Sequence, residues 1–310
     1  MRKVLFLLLA IITMASCSEE KVNVRWATFN MRYDNQGDAP NHWGARKERV
    51  ANYIKEMKFD VFGTQEVLHH QFEDLKTLLP DYEGVGVGRD DGATQGEYSA
   101  VFYNKNVFDA LDSGTFWLSE DPTAVGKMGW DAVCVRIATW AKLQHKATGK
   151  IVMAVNTHYD HVGQVAQKES SLLIIRKIKE IVGDQPAVLT GDFNVTDASE
   201  AYNTIVSNEF VLLDAHKVAE KTTGASYTFH GFDKVDMEKR SKIDFVFVTP
   251  NIKVLQSEVT KEVKEALLSD HNPQWTALEF SSNKHKKMNK LVIALVGALM
   301  AFGPYSRQPP

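Results

Sequence analysis

Cysteine is scarce: only Cys17 and Cys134 occur in 310 residues. That excludes the disulfide frameworks that staple small secreted domains. The paired Cys/His spacings of a zinc site and the HExxH run are missing as well. Neither a GxSxG elbow nor a Walker phosphate loop is present, so serine-elbow acyl transfer and P-loop nucleotide chemistry lack support. Long basic runs are absent from the central region and the formal net charge is −3. Bulk electrostatics therefore does not call for a nucleic-acid partner, whose affinity usually rests on neutralised phosphates. No apolar run reaches the ~20 residues of a membrane-spanning helix.

The two ends are unlike the middle. Residues 1–16 pair Arg2 and Lys3 with the apolar run Val4 to Met14, a secretory signal pattern. It closes in M-A-S-C, which resembles the lipobox of bacterial lipoproteins. That resemblance makes Cys17 the lipidated first residue of the mature chain and the membrane anchor. An ordinary cleaved signal is the alternative. Residues 17–22 then form a linker whose Ser18-Glu19-Glu20-Lys21 resembles an acidic export tag of outer-membrane, surface-exposed lipoproteins. With Cys17 acylated, no intrachain disulfide can form, so the domain at 23–281 must be held by its core. The tail at 282–310 joins a basic cluster to the apolar run Leu291–Phe302 and reads like the start of another signal peptide. A read-through accounts for it, a second membrane contact being the alternative, and it is excluded from the fold.

Within the domain, apolar strand patterns occur at Val24–Phe29, Phe59–Thr64, Tyr98–Tyr103, Ile137–Leu143, Ile151–Thr157, Ala187–Thr190, Ile243–Val248 and Trp275–Phe280. Helical patterns occupy 44–57, 67–79, 162–182 and 198–207, with Gly183 as a stop signal for the third. Strands outnumber helices, which suggests a layered α/β or α+β sandwich with sheets inside. Five strands end alike, in Asn30, Glu66, His158, Asp192/Asn194 and Asp270/His271. One such ending is a turn; five suggest strand ends converging on one face. Around Phe193, strand alternation points Asp192 and Asn194 the same way and the ring the other.

Oxygen donors dominate this inventory, which suits a hard cation such as Mg²⁺, Mn²⁺ or Ca²⁺. Carboxylates, amides and two histidines around such an ion suit phosphate ester hydrolysis. Six motifs, TFNMR at 28–32, TQE at 64–66, NTHYDH at 156–161, GDFN at 191–194, KIDFVFV at 242–248 and SDH at 269–271, occur in the order found in the endonuclease/exonuclease/phosphatase superfamily. The chain resembles that superfamily across about residues 24–280. FWLSEDP, GWDAVCVR and SYTFHGF further resemble a secreted bacterial branch of it.

The resemblance implies an α+β fold, a four-layer α/β/β/α sandwich of two mainly antiparallel sheets with outer helices. It implies Mg²⁺, with Mn²⁺ as substitute and one or two ions, held by Glu66 with Asn30 and Asp270. Asp192 would deprotonate the attacking water and Asn194 would hold a phosphate oxygen. His271 would contact the scissile phosphate, oriented by Asp244. His158 would be a second phosphate-side histidine and a proton donor, supported by Glu97. Arg136 would clamp phosphate, and His230 would line the leaving-group pocket. The expected activity is hydrolysis of phosphate mono- or diesters, on a small phosphorylated molecule, glycan or lipid head group. A nuclease, with DNA or RNA as substrate only, and a catalytically silent binding lipoprotein are the alternatives. No obligate protein partner is evident, and Cys134 reads as a small buried hydrophobe.

Overall fold

The computed structural model describes residues 21–281 except 184, 209 and 211. The expected signal peptide, the lipidation site Cys17 and the tail at 282–310 lie outside the described residues. The description concerns the compact unit Val22–Phe280. Among the described residues, no helix is long and apolar enough to cross a membrane.

In chain order the elements are β1 (Lys21–Asn30), α1 (Trp43–Met57), β2 (Val61–Gln65), α2 (His69–Leu78), β3 (Tyr82–Val85), β4 (Val101–Asn104), β5 (Phe108–Trp117), β6 (Ile137–His145) and β7 (Ile151–His158). There follow α3 (Gln164–Val182), β8 (Ala187–Asp192), α4 (Glu200–Val206), β9 (Leu213–Asp214), α5 (Ala215–Val218), β10 (Thr222–Gly224), β11 (Asp244–Val248), β12 (Lys253–Val259) and β13 (Gln274–Ser281). β1 opens at Lys21, so the expected linker loses its last two residues to the sheet.

The strands form a seven-stranded sheet ordered β10-β12-β13-β1-β2-β4-β3 and a six-stranded sheet ordered β5-β6-β7-β8-β11-β9. Both are mixed rather than purely antiparallel: β1 runs parallel to β2, β10 to β12, and β7 to β8. The layers follow from alternation along the strands. Val22, Val24 and Trp26 of β1 join Val152 and Ala154 of β7, Val188 of β8, and Val246 and Val248 of β11 in a core between the sheets. The opposite faces carry Ala27 and Phe29 against α1 and α2. Met153, Leu189, Phe245 and Phe247 face α3 and α4. The expected four-layer sandwich is what forms.

Along this seam each inner face passes from apolar to polar toward one end of the sandwich. β1 runs Trp26, Thr28, Asn30; β7 runs Ala154, Asn156, His158; β8 runs Val188, Thr190, Asp192; antiparallel β11 begins at Asp244. The middle of each series is a buried hydrogen-bonded layer. Asn156 Nδ2 donates to the carbonyls of Thr64 and Ala100 at 2.8 and 3.0 Å. Its Oδ1 accepts from Gln65 Nε2 at 2.6 Å and Thr190 Oγ1 at 3.0 Å. Such a network is tolerable in a core because both ends of the Asn156 amide find partners, although Gln65 Oε1 has none. It also explains Gly63: a Cβ there would collide with Asn156 Oδ1 and Thr190 Oγ1.

Candidate active site

Beyond that polar layer the seam opens into a cavity of 720 Å³. Asp192 lies at its base, at the last position of β8, paired in register with His158 of β7 and with Asp244 of β11. Phe193 turns the other way and packs edge-on against Tyr159 and Phe247, as the alternation implied. Asp192 Oδ1 accepts from the Asn194 backbone N–H at 2.9 Å, and Oδ2 from Asn30 Nδ2 at 2.9 Å. Oδ2 also lies 3.6 Å from His158 Nε2 and 3.7 Å from His271 Nε2. Burial, with the neighbouring Asp244 charge, pushes the Asp192 carboxyl up to about 7.

His271 and Asp244 form a buried pair, Nδ1 to Oδ2, at 2.8 Å. The Phe229 segment sets it. Thr228 Oγ1 accepts from the Ile243 and Asp244 backbone N–H groups, and the Thr228 carbonyl accepts from Asn272 N at 2.6 Å. Burial opposes protonation of His271, but Asp244 and Asp192 outweigh it and raise the imidazole well above its ordinary range. With Nδ1 on Asp244 and Nε2 toward Asp192, both ring nitrogens lie beside carboxylates that favour the charged form.

His158 is its opposite. Asn194 Nδ2 donates to the Tyr159 carbonyl at 2.9 Å, which fixes the amide's orientation. The same Nδ2 meets His158 Nε2 at 3.0 Å, so that nitrogen must accept. The ring proton is left on Nδ1, 3.8 Å from Glu97 Oε2. Burial, then the Arg136 and Arg89 charges, hold His158 well below its ordinary range. A neutral ring whose Nε2 is occupied is not poised to donate a proton, contrary to the role expected of it. Burial raises Glu97 too, against the pull of Arg89, which donates to it at 2.7 Å.

Glu66 follows β2 at φ +61°, and Asn194 follows β8 at φ +52°. Left-handed backbone costs a residue such as Glu roughly 1–2 kcal/mol, and such strain clusters where function requires a side chain to be aimed. Asn30 Nδ2 donates to Glu66 Oε1 at 3.0 Å, while Asn30 Oδ1 accepts from the Arg32 backbone N–H at 2.9 Å. The amide orientation is again fixed by a backbone group. Asn30, the expected cation ligand, spans Glu66 and Asp192 with its NH₂, while its Oδ1 accepts from the Arg32 backbone and keeps a second lone pair. Asp270 Oδ1 accepts from Ser269 Oγ at 3.2 Å, and burial raises its carboxyl.

The donor set fits a hard divalent cation. One donor atom each from Glu66, Asp192 and His271 lies within 4.8 Å of the others, and the Asp270 carboxylate lines the same cavity. His271 Nδ1 is paired to Asp244, so the carboxylates are the hard oxygen donors this set offers.

Arg136 also lines the cavity, with Nη2 3.2 Å from His161 Nδ1 and two buried guanidinium nitrogens without a hydrogen-bond partner. Asp160 organises the adjoining loop, accepting from the backbone N–H groups of Val133, Cys134, Val162 and Gly163. Cys134 is only half-buried and reaches the cavity wall, not the core. His230 does not join the site. It borders a separate cavity of 310 Å³ behind His271, with Tyr53 and Leu268, and burial lowers it to about 4. Its neighbours Gly231 and Phe232 face the main cavity instead.

Sequence reasoning missed Arg32, Tyr33, Arg89 and Lys234 in the cavity wall, and Arg46 behind it. The fully buried Arg46 donates to the carbonyls of Asn41, Met31, Leu268 and Arg32, tying the loop after β1 to the segment carrying Asp270. The available signal was Arg32 itself, inside TFNMR.

A sequence model described as the Endonuclease/Exonuclease/phosphatase family matches residues 27–271. The fold superposes with a TM-score of 0.83 on the crystal structure of an endonuclease/exonuclease/phosphatase from Bacteroides vulgatus, at 62% identity over 84% of this chain and 100% of that one. A mannosyl-6-phosphatase from Bacteroides thetaiotaomicron superposes at 0.76, with 39% identity over 82% of this chain and 99% of its own. Nocturnin of Drosophila melanogaster is 26% identical over 184 residues, which are 55% of this chain and 27% of that protein. The chain thus spans about a quarter of that curated relative. With a family match over most of its length and these structural relatives, the chain belongs to the Endonuclease/Exonuclease/phosphatase family.

Proposed function

We propose that the protein hydrolyses phosphate monoesters of small sugars or phosphorylated glycans, with Mg²⁺ (or Mn²⁺) held by Glu66 and Asp270. The observation that carries this reading is the position of Asp192. A carboxylate raised toward neutrality lies between two histidines, in a cavity whose wall also carries Arg89, Arg136 and Lys234. The cation, when bound, neutralises phosphate oxygens and acidifies water.

The P–O bond to the sugar breaks as water attacks, with the leaving oxygen protonated from solvent, and the chain's own residues do the rest. Asp192 Oδ2 accepts the proton of the attacking water, and the Asn194 N–H and Asn30 amide hold the carboxylate in place. His271 Nε2–H donates to a phosphate oxygen as negative charge develops, and Asp244 keeps it protonated and aimed. Arg136, with two guanidinium nitrogens that have no hydrogen-bond partner, holds a further oxygen. His158, neutral, fixes the Asn194 amide. The B. thetaiotaomicron relative, a mannosyl-6-phosphatase at 39% identity, supports a sugar phosphate as substrate class.

The test is phosphate release from a panel of hexose 6-phosphates, phosphodiesters, single-stranded DNA and RNA, with Mg²⁺ or Mn²⁺ and an EDTA control. Turnover of hexose phosphates is expected. Cleavage of polynucleotide alone, steeply inhibited by salt, would overturn the substrate class. The N-terminal pattern supports export and acylation at Cys17. Incorporation of labelled palmitate, lost in Cys17→Ala, is the corresponding check.

A further inference from the structure

Arg32 places a guanidinium among the acidic groups of the cavity. Its Nε and Nη2 lie 2.8 and 3.3 Å from the two oxygens of Asp38, a two-point pairing. Its Nη1 lies 3.6 Å from Glu66 Oε2, and its Nε is 3.9 Å from Asp270 Oδ2. The last two contacts are ion pairs beyond hydrogen-bond length. The carboxylates assigned above to the cation therefore already share a positive charge, held beside them by Asp38. Arg32 is at φ +55°, and its backbone is fixed by Asn30 Oδ1, Arg46 and Gln71 independently of its side chain.

A divalent cation on Glu66 and Asp270 would compete with Nη1 for Glu66 Oε2 and add repulsion across a few ångströms. Asp38 prevents the side chain from leaving. Nη1 then faces the cavity without an acceptor, and a phosphate oxygen is the group that would supply one. Resting on the cation reading above, we propose that Arg32 is an internal competitor for the cation site. It weakens cation binding in the free enzyme and passes to the phosphate when both are bound, so that cation and phosphate bind cooperatively. Reciprocity then requires the cation to tighten phosphate by the same factor.

The measurement is Mn²⁺ affinity of the intact domain, from the electron paramagnetic resonance of free Mn²⁺, with and without inorganic phosphate. In the wild type, phosphate tightens Mn²⁺ roughly tenfold. Arg32→Gln binds Mn²⁺ alone roughly tenfold more tightly than wild type, since a unit charge a few ångströms away is removed, and phosphate then adds little. Arg32→Lys, which keeps the charge, returns Mn²⁺ alone to weak binding. A residue needed only for folding would loosen the ion when replaced, not tighten it. Arg32→Gln with wild-type Mn²⁺ affinity and an undiminished phosphate effect overturns the proposal while leaving the cation reading intact. Failure of the wild type to bind Mn²⁺, or unchanged binding in Glu66→Gln, overturns both.

Discussion

His271 Nδ1 donates to Asp244 Oδ2 at 2.8 Å, and both residues are buried at the end of the inter-sheet seam. The bond joins β11 to the segment before β13, so the imidazole is aimed by one strand of the six-stranded sheet while its own backbone leads into the other sheet. In its charged form the ring points Nε2–H at Asp192.

Asp244→Asn removes the charge that holds this proton. By comparison with other carboxylate–imidazole pairs, kcat should fall roughly 10²–10⁴-fold. The pH dependence carries the sign. The protonated ring is the active form, so activity is lost as pH rises through its raised pKa. In Asp244→Asn that pKa falls and the alkaline limb of kcat/KM moves to lower pH. A pH–rate profile with an unmoved alkaline limb would remove His271 from the role of phosphate donor.

Asp192→Asn should be slowed roughly 10²-fold or more, yet be more stable above neutrality. The Asp192 carboxyl is raised to about 7 by burial and by Asp244. Its proton therefore contributes stability that is full below the ordinary carboxyl range and lost as pH rises through about 7. Asparagine bears no such cost. In EDTA, thermal unfolding should show Asp192→Asn melting above wild type at pH 8, with the gap closing at pH 5. Equal or lower melting at pH 8 contradicts the assigned burial cost.

Gly63→Ala should destabilise the domain by about 1–3 kcal/mol, the range for overpacking a filled core. The new methyl meets the Asn156 amide and the Thr190 hydroxyl, whose hydrogen bonds fix their positions. Urea unfolding reads this directly. A wild-type midpoint would mean that the two sheets can separate there at little cost.

The seam residues were legible because strands alternate strictly and each inner face ends in a polar side chain. Asn30, His158 and Asp192 need only that period to be placed together. The patterns gave a layered sandwich with sheets inside; the four layers came from the family resemblance of the six motifs. Several strands were not. β5, FDALDSGTFW, is an edge strand with a mostly exposed centre, so it carries no apolar alternation. In β12 a register shift between Val254 and Gln256 breaks the period. β3 contains Gly84, which faces the rings of Phe72 and Phe102 where a side chain would collide.

His230 was misplaced because the chain there is not a strand. Gly231, Phe232 and Asp233 are all left-handed, at φ +61°, +55° and +63°. That reversal sends Phe232 into the main cavity wall and leaves His230 behind it. The arginines were invisible for another reason. What Arg46 and Arg32 do depends on carbonyls and carboxylates brought from distant segments, such as Leu268 and Asp270. Arg46 has no local mark that separates it from a solvated surface arginine, and Arg32 had only its place inside TFNMR. Asn30 and Asn194 were legible as positions, but which end of each amide faces the site is set by single backbone groups, Arg32 N–H and the Tyr159 carbonyl.

The central claim is that the carboxylates at the end of this seam carry cation-dependent phosphate ester hydrolysis. The most direct measurement is inorganic phosphate released from a hexose phosphate by wild type and Asp192→Asn, each with Mg²⁺ and after removal of metal by EDTA. Release is expected from the wild type with Mg²⁺, abolished by EDTA and restored by Mg²⁺, and roughly 10²-fold or more slower in folded Asp192→Asn. Undiminished release by verified metal-free enzyme, or by Asp192→Asn, would contradict the account.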